Sequence, residues 1–258
     1  MGMPTGASSR GVPSKSIAVE PYPPIVPPLR PSHVCFRRRG RPPSVRIALE
    51  QELSRNVAEA VAELLQVLCC GEESAVFAFE WLSRHAALEE AAAACAARIA
   101  REEACHDELL GGVRLALPPP RPDEALLDRL KGFYRALGTR DAFVHLTQIY
   151  ALDSGVCIVL SALRGEGRPV GRNSTLTAIL GRILHDEVGH VRDSGRIARE
   201  LGPRRAGTEH VARTREGLAD MIFQRADALE TLEVDPDALR RTLLHVPAWR
   251  LRSELLHP

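Results

Sequence analysis

From Ser44 onward, apolar residues recur three, four and seven positions apart, the spacing that keeps side chains on one face of a helix. The first stripe, Leu49, Leu53, Val57, Val61, Leu64, Leu65 and Leu68, predicts a long helix from about Val45 to His85, with a break allowed at Cys70-Gly71. A second helix spans about Leu88 to Leu115 and stops before Pro118-Pro119-Pro120. A short amphipathic helix follows from Pro122 or Asp123 to Leu137, with Leu126, Leu127, Leu130, Phe133 and Leu137 on one side. Gly138 to Asp141 separates it from a helix that runs to about Leu163, and Asn173 or Ser174 caps the next, which ends at Gly202-Pro203. A further helix is expected over Thr208 to Leu232, packed outside the others, and Asp235-Pro236-Asp237 opens a last short one. The expected class is all-α.

Four acids interrupt these apolar stripes. Glu72 shares its face with Leu65, Leu68, Cys69, Ala75, Val76 and Phe79, and Asp153 with Leu146, Ile149, Tyr150, Val156, Cys157 and Leu160. Glu103 follows Ala96, Ile99 and Ala100, while Glu187 follows Leu180, Ile183 and Leu184. An ionised carboxylate in a dry stripe costs several kcal/mol unless it is paired or binds a metal. Glu103 and Glu187 each open a Glu-x-x-His motif, completed by His106 and His190. The motif alone is cheap: among 22 Glu and 9 His, about one match is expected by chance, and Glu254 to His257 is read as that accident. Buried ion pairs of Glu103 and Glu187 with Arg98 and Arg182, and packed core histidines, are the plain alternative.

Spacing supplies an independent argument. Groups at one level of an antiparallel hairpin straddle its turn symmetrically. The midpoint of Asp153 and Glu187 is residue 170, inside the breaker-rich Gly165 to Gly171 stretch, which makes each arm about 15 residues, or about 23 Å. The midpoint of Glu72 and Glu103 falls near Ala87, where neither Gly nor Pro marks a turn. One carboxylate from each of two helices and Glu-x-x-His from each of two others is the ligand set of a two-metal carboxylate site inside a four-helix bundle. The expected metal ligands are therefore Glu72, Glu103, His106, Asp153, Glu187 and His190.

Composition narrows the setting. Charge is balanced, with 34 basic and 33 acidic residues in 258, so no global attraction to nucleic acid or membrane is expected. Aromatic residues make up 4%, which suits helix packing more than sheets. No membrane-spanning run and no signal-type N-terminus are read, and a cytoplasmic location is expected. Residues 1–45 hold 10 of the 19 prolines and seven Lys or Arg against a single acid, Glu20. A solvated, disordered tail over 1–44 is expected, with no capacity to form a core. Its Arg37-Arg-Arg-Gly-Arg-Pro42 run is one short minor-groove-type motif, too little to predict nucleic-acid binding. The six cysteines show no Cys-x-x-Cys pair and are expected as reduced thiols, mostly small buried hydrophobes.

The arrangement over about Ser44 to Leu201 resembles the ferritin-like superfamily, and within it the rubrerythrin-like and related di-iron carboxylate oxidases. Gly71-Glu72-Glu-Ser-Ala75, Ala100-Arg-Glu-Glu103-Ala-Cys-His106 and His185-Asp-Glu187-Val-Gly-His190-Val carry the resemblance. It implies a four-helix bundle (45–201) with a long crossover between its second and third helices, and a C-terminal helical extension (202–258) packed on it. It also implies two iron ions, with manganese possible chemically, bridged by Glu103 and Glu187. Glu72 and Asp153 would then be terminal ligands and His106 and His190 would sit one on each ion. Asp153 departs from the family's usual Glu by one methylene, and no rubredoxin-type Cys-x-x-Cys pairs are present. The function implied is an O2-activating non-haem di-iron oxidase or monooxygenase with a small-molecule substrate, an electron donor and a homodimeric assembly. Tyr150, one turn before Asp153, is its candidate catalytic side chain. A ferroxidase, and a helical binding protein with a vestigial site, are the competing expectations. His85, His145 and His185 are read as packing or surface residues that could add a ligand, and Asp107 and Asp186 as acids that could orient the histidines.

Overall fold

The structure is a computed structural model that describes residues 35–36, 45, 47–49, 53–202 and 204–245. Among these, the chain forms eight α-helices and no strand: α1 (Arg55–His85), α2 (Glu90–Leu115), α3 (Glu124–Leu137), α4 (Ala142–Leu163), α5 (Ser174–Leu201), α6 (Arg204–Phe223), α7 (Ala226–Thr231) and α8 (Pro236–His245). The all-α expectation holds.

Two long hairpins carry the architecture. The short connection 86–89 folds α2 back along α1, and the connection 164–173 folds α5 back along α4. The pairs meet where α2 touches α5 and α1 touches α4. The turn at 86–89 is centred beside Ala87, so the level argument holds there without Gly or Pro. Helix starts follow local chemistry: the side chains of Asp123, Asp141 and Asn173 accept from the backbone N–H of Leu126, Val144 and Leu176, satisfying donors that a helix leaves unpaired.

Three boundaries differ from expectation. The first helix begins at Arg55 rather than near Val45; Val45 and Ile47 run non-helically across α2, with the Val45 carbonyl and the Ile47 side chain against Gly112. That helix then passes through Cys70-Gly71 without a break. The helix expected over Thr208 to Leu232 divides at Gln224-Arg225 into α6 and α7. Arg225 there turns inward, its guanidinium 2.9 Å from Glu63 and 3.0 Å from Asp123, which ties the break to α1 and to the start of α3.

α6 lies on α4, with α8 against both, α7 on α1, and α3 touching α1 and α6. Small residues let these helices approach: a Cβ at Gly155 would sit 2.4 Å from Leu218 Cδ2, and one at Gly217 the same distance from Phe133 Cε2. α4 is thereby enclosed between α5 and α6. This explains its nearly continuous apolar sequence, since a helix buried all round needs no polar face. It is also the one described helix long and apolar enough to cross a membrane, which the sequence reading does not anticipate; its 18-residue apolar window, mean hydropathy 1.5, is 67% buried in the fold.

The cysteine expectation is corrected for two residues. Cys35 and Cys70 form a disulfide, with Cα atoms 5.3 Å apart and a separation of 35 residues that no spacing rule reveals. Cys69, Cys95, Cys105 and Cys157 are free thiols. Burial raises the pKa of Cys69 to about 11 and that of Cys157 well above the ordinary range, so both remain small protonated hydrophobes. Cys35 is buried and Phe36 donates its backbone N–H to the buried Glu73 carboxylate at 2.8 Å. These two residues of the expected tail therefore belong to the packed structure, while the arginine-rich run lies outside the described residues.

Candidate metal centre

Glu72 on α1, Glu103 and His106 on α2, Asp153 on α4, and Glu187 and His190 on α5 converge at one level between the two hairpins. They form two overlapping groups, Glu72–Glu103–His106–Glu187 and Glu103–Asp153–Glu187–His190, each with one ligand atom per residue and all those atoms within 4.8 Å of one another. Glu103 and Glu187 belong to both groups. None of the six side chains is more than 5% exposed. Asp153, although one methylene shorter than Glu, reaches its group. Each group offers carboxylate and imidazole donors, a set that could hold a metal ion.

The plain ion-pair alternative fails on partners. Arg98 binds Glu102 at 2.5 Å and Asp193 at 2.7 Å, and Arg182 binds Asp186 at 2.8 Å. Both arginines thus serve the residue preceding the motif glutamate, leaving Glu103 and Glu187 facing the two histidines, Glu72 and Asp153. Every one of the six residues also keeps one buried atom without a hydrogen bond among the described residues: Glu72 Oε2, Glu103 Oε1, His106 Nδ1, Asp153 Oδ2, Glu187 Oε2 and His190 Nδ1. These atoms meet one another only as ion-pair contacts, His106 Nδ1 to Glu72 at 3.3 Å and His190 Nδ1 to Glu103 at 3.0 Å; buried polar atoms are normally hydrogen-bonded, and a cation on this centre would satisfy the six together.

Electrostatics say the same. Burial raises the pKa of Glu72 and of Asp153 well above the carboxylate range, reinforced by the charges of Glu103 and Glu187 and only partly opposed by a histidine. Glu103 behaves oppositely: burial pushes it up, but His106 and His190 outweigh this and hold it at about 2. Burial lowers both histidines, yet the surrounding carboxylates raise His190 to about 12 and His106 further. Four carboxylates without a metal can be carried in this dry site only by retaining protons.

Around the histidines the two halves repeat each other. Each presents Nδ1 inward and Nε2 to an acid on the opposite hairpin: His106 to Asp186 at 3.4 Å and His190 to Glu102 at 2.9 Å. An Arg one turn earlier backs each acid, so the chains Arg98–Glu102–His190 and Arg182–Asp186–His106 are related by the internal duplication. Such acids fix ring orientation and raise ligand basicity. Asp186 takes the orienting position its place in sequence allowed, and Glu102 was missed although it occupies the equivalent position in the other motif. Asp107 is buried and belongs to neither metal-ligating group.

The carboxylate side opens instead. A cavity of about 80 Å³ is lined by all four cluster acids and by a mostly apolar wall that includes Ala75, Phe77, Leu152 and Val156. Tyr134 and the end of α3 form its rim, and His145 lies in its wall. Tyr150 stands elsewhere, against α5, where a Cβ at Gly195 would lie 2.9 Å from its ring. The phenol that borders the cavity is Tyr134. Burial, then the charges of Glu72 and Asp153, push its pKa up, so it stays protonated. Its one sequence signal is Gly71, where a Cβ would come within 3.0 Å of the Tyr134 hydroxyl.

No family model, curated protein or solved structure matches this chain. The site therefore stands on its own geometry: sealed around the imidazoles and accessible past the carboxylates. His85 and His185 are among neither metal-ligating group, and His145 borders the cavity without joining one.

Proposed function

We propose that this chain is a ferritin-like di-metal carboxylate protein whose four-helix bundle binds two iron ions and uses O2 to oxidise a small organic molecule. Glu103 and Glu187, which belong to both ligand groups, would serve both ions, with Glu72 and His106 holding one and Asp153 and His190 the other. The observation that carries the reading is the pair of overlapping buried ligand groups sharing those two glutamates. Charge supports a count of two, since two divalent cations neutralise four carboxylates without the protons the empty cluster must hold. Oxygen- and imidazole-rich ligation suits ferrous iron, with manganese as the nearest competitor. Bound there, iron would supply the one- and two-electron chemistry that O2 requires and that amino-acid side chains lack.

The chain's own residues would do the rest. Arg98–Glu102 and Arg182–Asp186 hold the two imidazoles in register. The apolar wall excludes water from the carboxylate face. Tyr134 places a neutral phenol beside Glu72 and Asp153, and Tyr150, expected in that position, serves the packing of α4 on α5. The cavity favours an organic substrate over a ferroxidase role, because a route for hydrated iron ions needs polar walls and most of the surface of this one is apolar.

The test is anaerobic loading with Fe(II) followed by O2. About two irons per chain and Fe(II)-dependent O2 uptake without growth of a mineral core are the expected results, and Glu103→Ala and Glu187→Ala should each abolish stable loading. Full stoichiometry retained in both variants removes the ligand assignment; continued oxidation of many irons per chain moves the protein to the ferroxidase class.

A further inference from the structure

His145 is a buried polar group in the cavity lining that the metal reading leaves unused. It is 5% exposed, its Nδ1 has no hydrogen-bond partner among the described residues, and its ring packs 5.7 Å from Trp81 in the wall of the cavity. A polar atom buried without a partner costs about as much as a lost hydrogen bond, and the ring's place in the cavity lining brings it beside an entering ligand. Burial holds its pKa at about 4, so near neutrality the ring is uncharged and offers one donor and one acceptor nitrogen.

The remaining wall defines what else the ligand carries. Ala75, Ala78, Leu152 and Val156 offer only apolar contact, and Phe36 and Phe77 extend that surface. Among the described residues the lining's one cationic side chain, Arg135, is exposed, so an anion seated deeper would be desolvated without a buried counter-charge among them. A cation would face acids whose charge the metals already neutralise. The volume, about 80 Å³, is roughly half that of an engineered apolar cavity known to hold benzene, which limits the buried part to a short chain.

We infer that the cavity is a binding site for a short, uncharged aliphatic molecule bearing a hydroxyl, seated with its chain on the Leu152–Val156 wall and its hydroxyl on His145. A hydroxyl both donates and accepts, so it satisfies either tautomer of the ring. That this molecule is the substrate, and that a cation is disfavoured, rest on the proposed di-metal reading; that it binds at His145 does not. His145 is accordingly a specificity-determining residue: it selects for the polar end of the ligand.

The probes are 1-butanol, 1-chlorobutane, butyrate and butylammonium, titrated into the full chain, metal-free and zinc-loaded. The readout is the ring-nitrogen signals of histidine-labelled protein, with metal content measured on the same samples. Expected are saturable shifts of His145 with 1-butanol and weaker binding of both ions. The preference for 1-butanol over 1-chlorobutane should fall roughly tenfold in His145→Leu and be largely retained in His145→Gln, which restores a neutral hydrogen-bonding group. Helicity of each variant, followed by circular dichroism, identifies one that fails to fold, and the ring-nitrogen shifts of the unmodified chain decide the question by themselves. The inference is overturned by an unchanged preference in folded His145→Leu, by butyrate or, in the zinc-loaded chain, butylammonium binding more tightly than 1-butanol, or by no 1-butanol-dependent shift. A chain that binds 1-butanol at His145 but takes up no metal sinks the oxidase reading and leaves this one standing.

Discussion

Loading the cluster with two divalent cations should release about four protons per chain near neutral pH. The count comes from the site. In the metal-free protein His106 and His190 are raised and carry protons, and Glu72 and Asp153 are raised and stay neutral, while Glu103 is held ionised at about 2. Metal ligation requires neutral imidazole and ionised carboxylate, so all four protons must leave, and two divalent cations restore neutrality. Each proton changes the binding free energy by about 1.36 kcal/mol per pH unit, so the pair of ions should bind about 5 kcal/mol more favourably for each unit of rising pH. Calorimetric titration with Zn(II) or anaerobic Fe(II), repeated in buffers of different ionisation enthalpy, gives the proton number directly. A release of one proton or none would falsify the charge reading of the site, and saturation at one ion with two protons would reduce it to a single metal.

The same shifts govern stability without metal. Groups whose folded pKa is raised (His106, His190, Glu72 and Asp153) stabilise the metal-free fold fully below their unfolded pKa values and lose that contribution as pH rises through the folded ones. Chemical denaturation should therefore show the gap between metal-loaded and metal-free protein widening toward alkaline pH, and a constant gap would contradict it. His145 has the opposite sign: depressed from 6.5 to about 4, it costs up to about 3 kcal/mol as pH falls across that window, and His145→Leu should flatten the acid limb of the stability curve. Glu102→Gln should weaken metal binding by about 10- to 100-fold, and more than Asp186→Asn does, because Glu102 meets its histidine at 2.9 Å and Asp186 at 3.4 Å; equal or absent effects in a metal competition assay would refute the orienting role. Reduction of Cys35–Cys70, which closes a 35-residue separation, should cost about 4 kcal/mol on the chain-entropy account, checked by denaturation with and without a thiol reductant.

Much of this was legible because helical period and burial leave a direct trace in sequence. An acid among Leu, Ile and Val at three- and four-residue spacing cannot be a surface residue, and each of the four so identified is buried. The level argument worked because two antiparallel helices have the same rise per residue, whatever the turn contains. What stayed hidden depended on contacts between distant segments. The Cys35–Cys70 bond joins residues with no local signature, and Tyr134 reaches the site only because α3 is laid over Gly71. Arg225 ends α6 by an ion pair to Glu63, which no propensity of Gln224 or Arg225 announces.

Glu102 is a different kind of omission, because the duplication itself contained it. Placing Arg98-x-x-x-Glu102-Glu103-x-x-His106 over Arg182-x-x-x-Asp186-Glu187-x-x-His190 assigns every orienting group in one half from the other. The two halves differ where the chemistry would need them to differ. The imidazole side is matched, acid for acid and arginine for arginine, and is closed. The open side pairs Glu72 with the shorter Asp153 and borders a cavity that holds Tyr134 and His145 without counterparts. Exchanging the two acids, by Asp153→Glu with Glu72→Asp, separates a need for shortness at one position from a need for a fixed total of carboxylate length. If the Asp153 position must stay short to leave room beside its metal, the exchanged chain should load metal fully yet lose O2 uptake. Full uptake in that variant would show that the asymmetry lies in the cavity wall and not in the ligands.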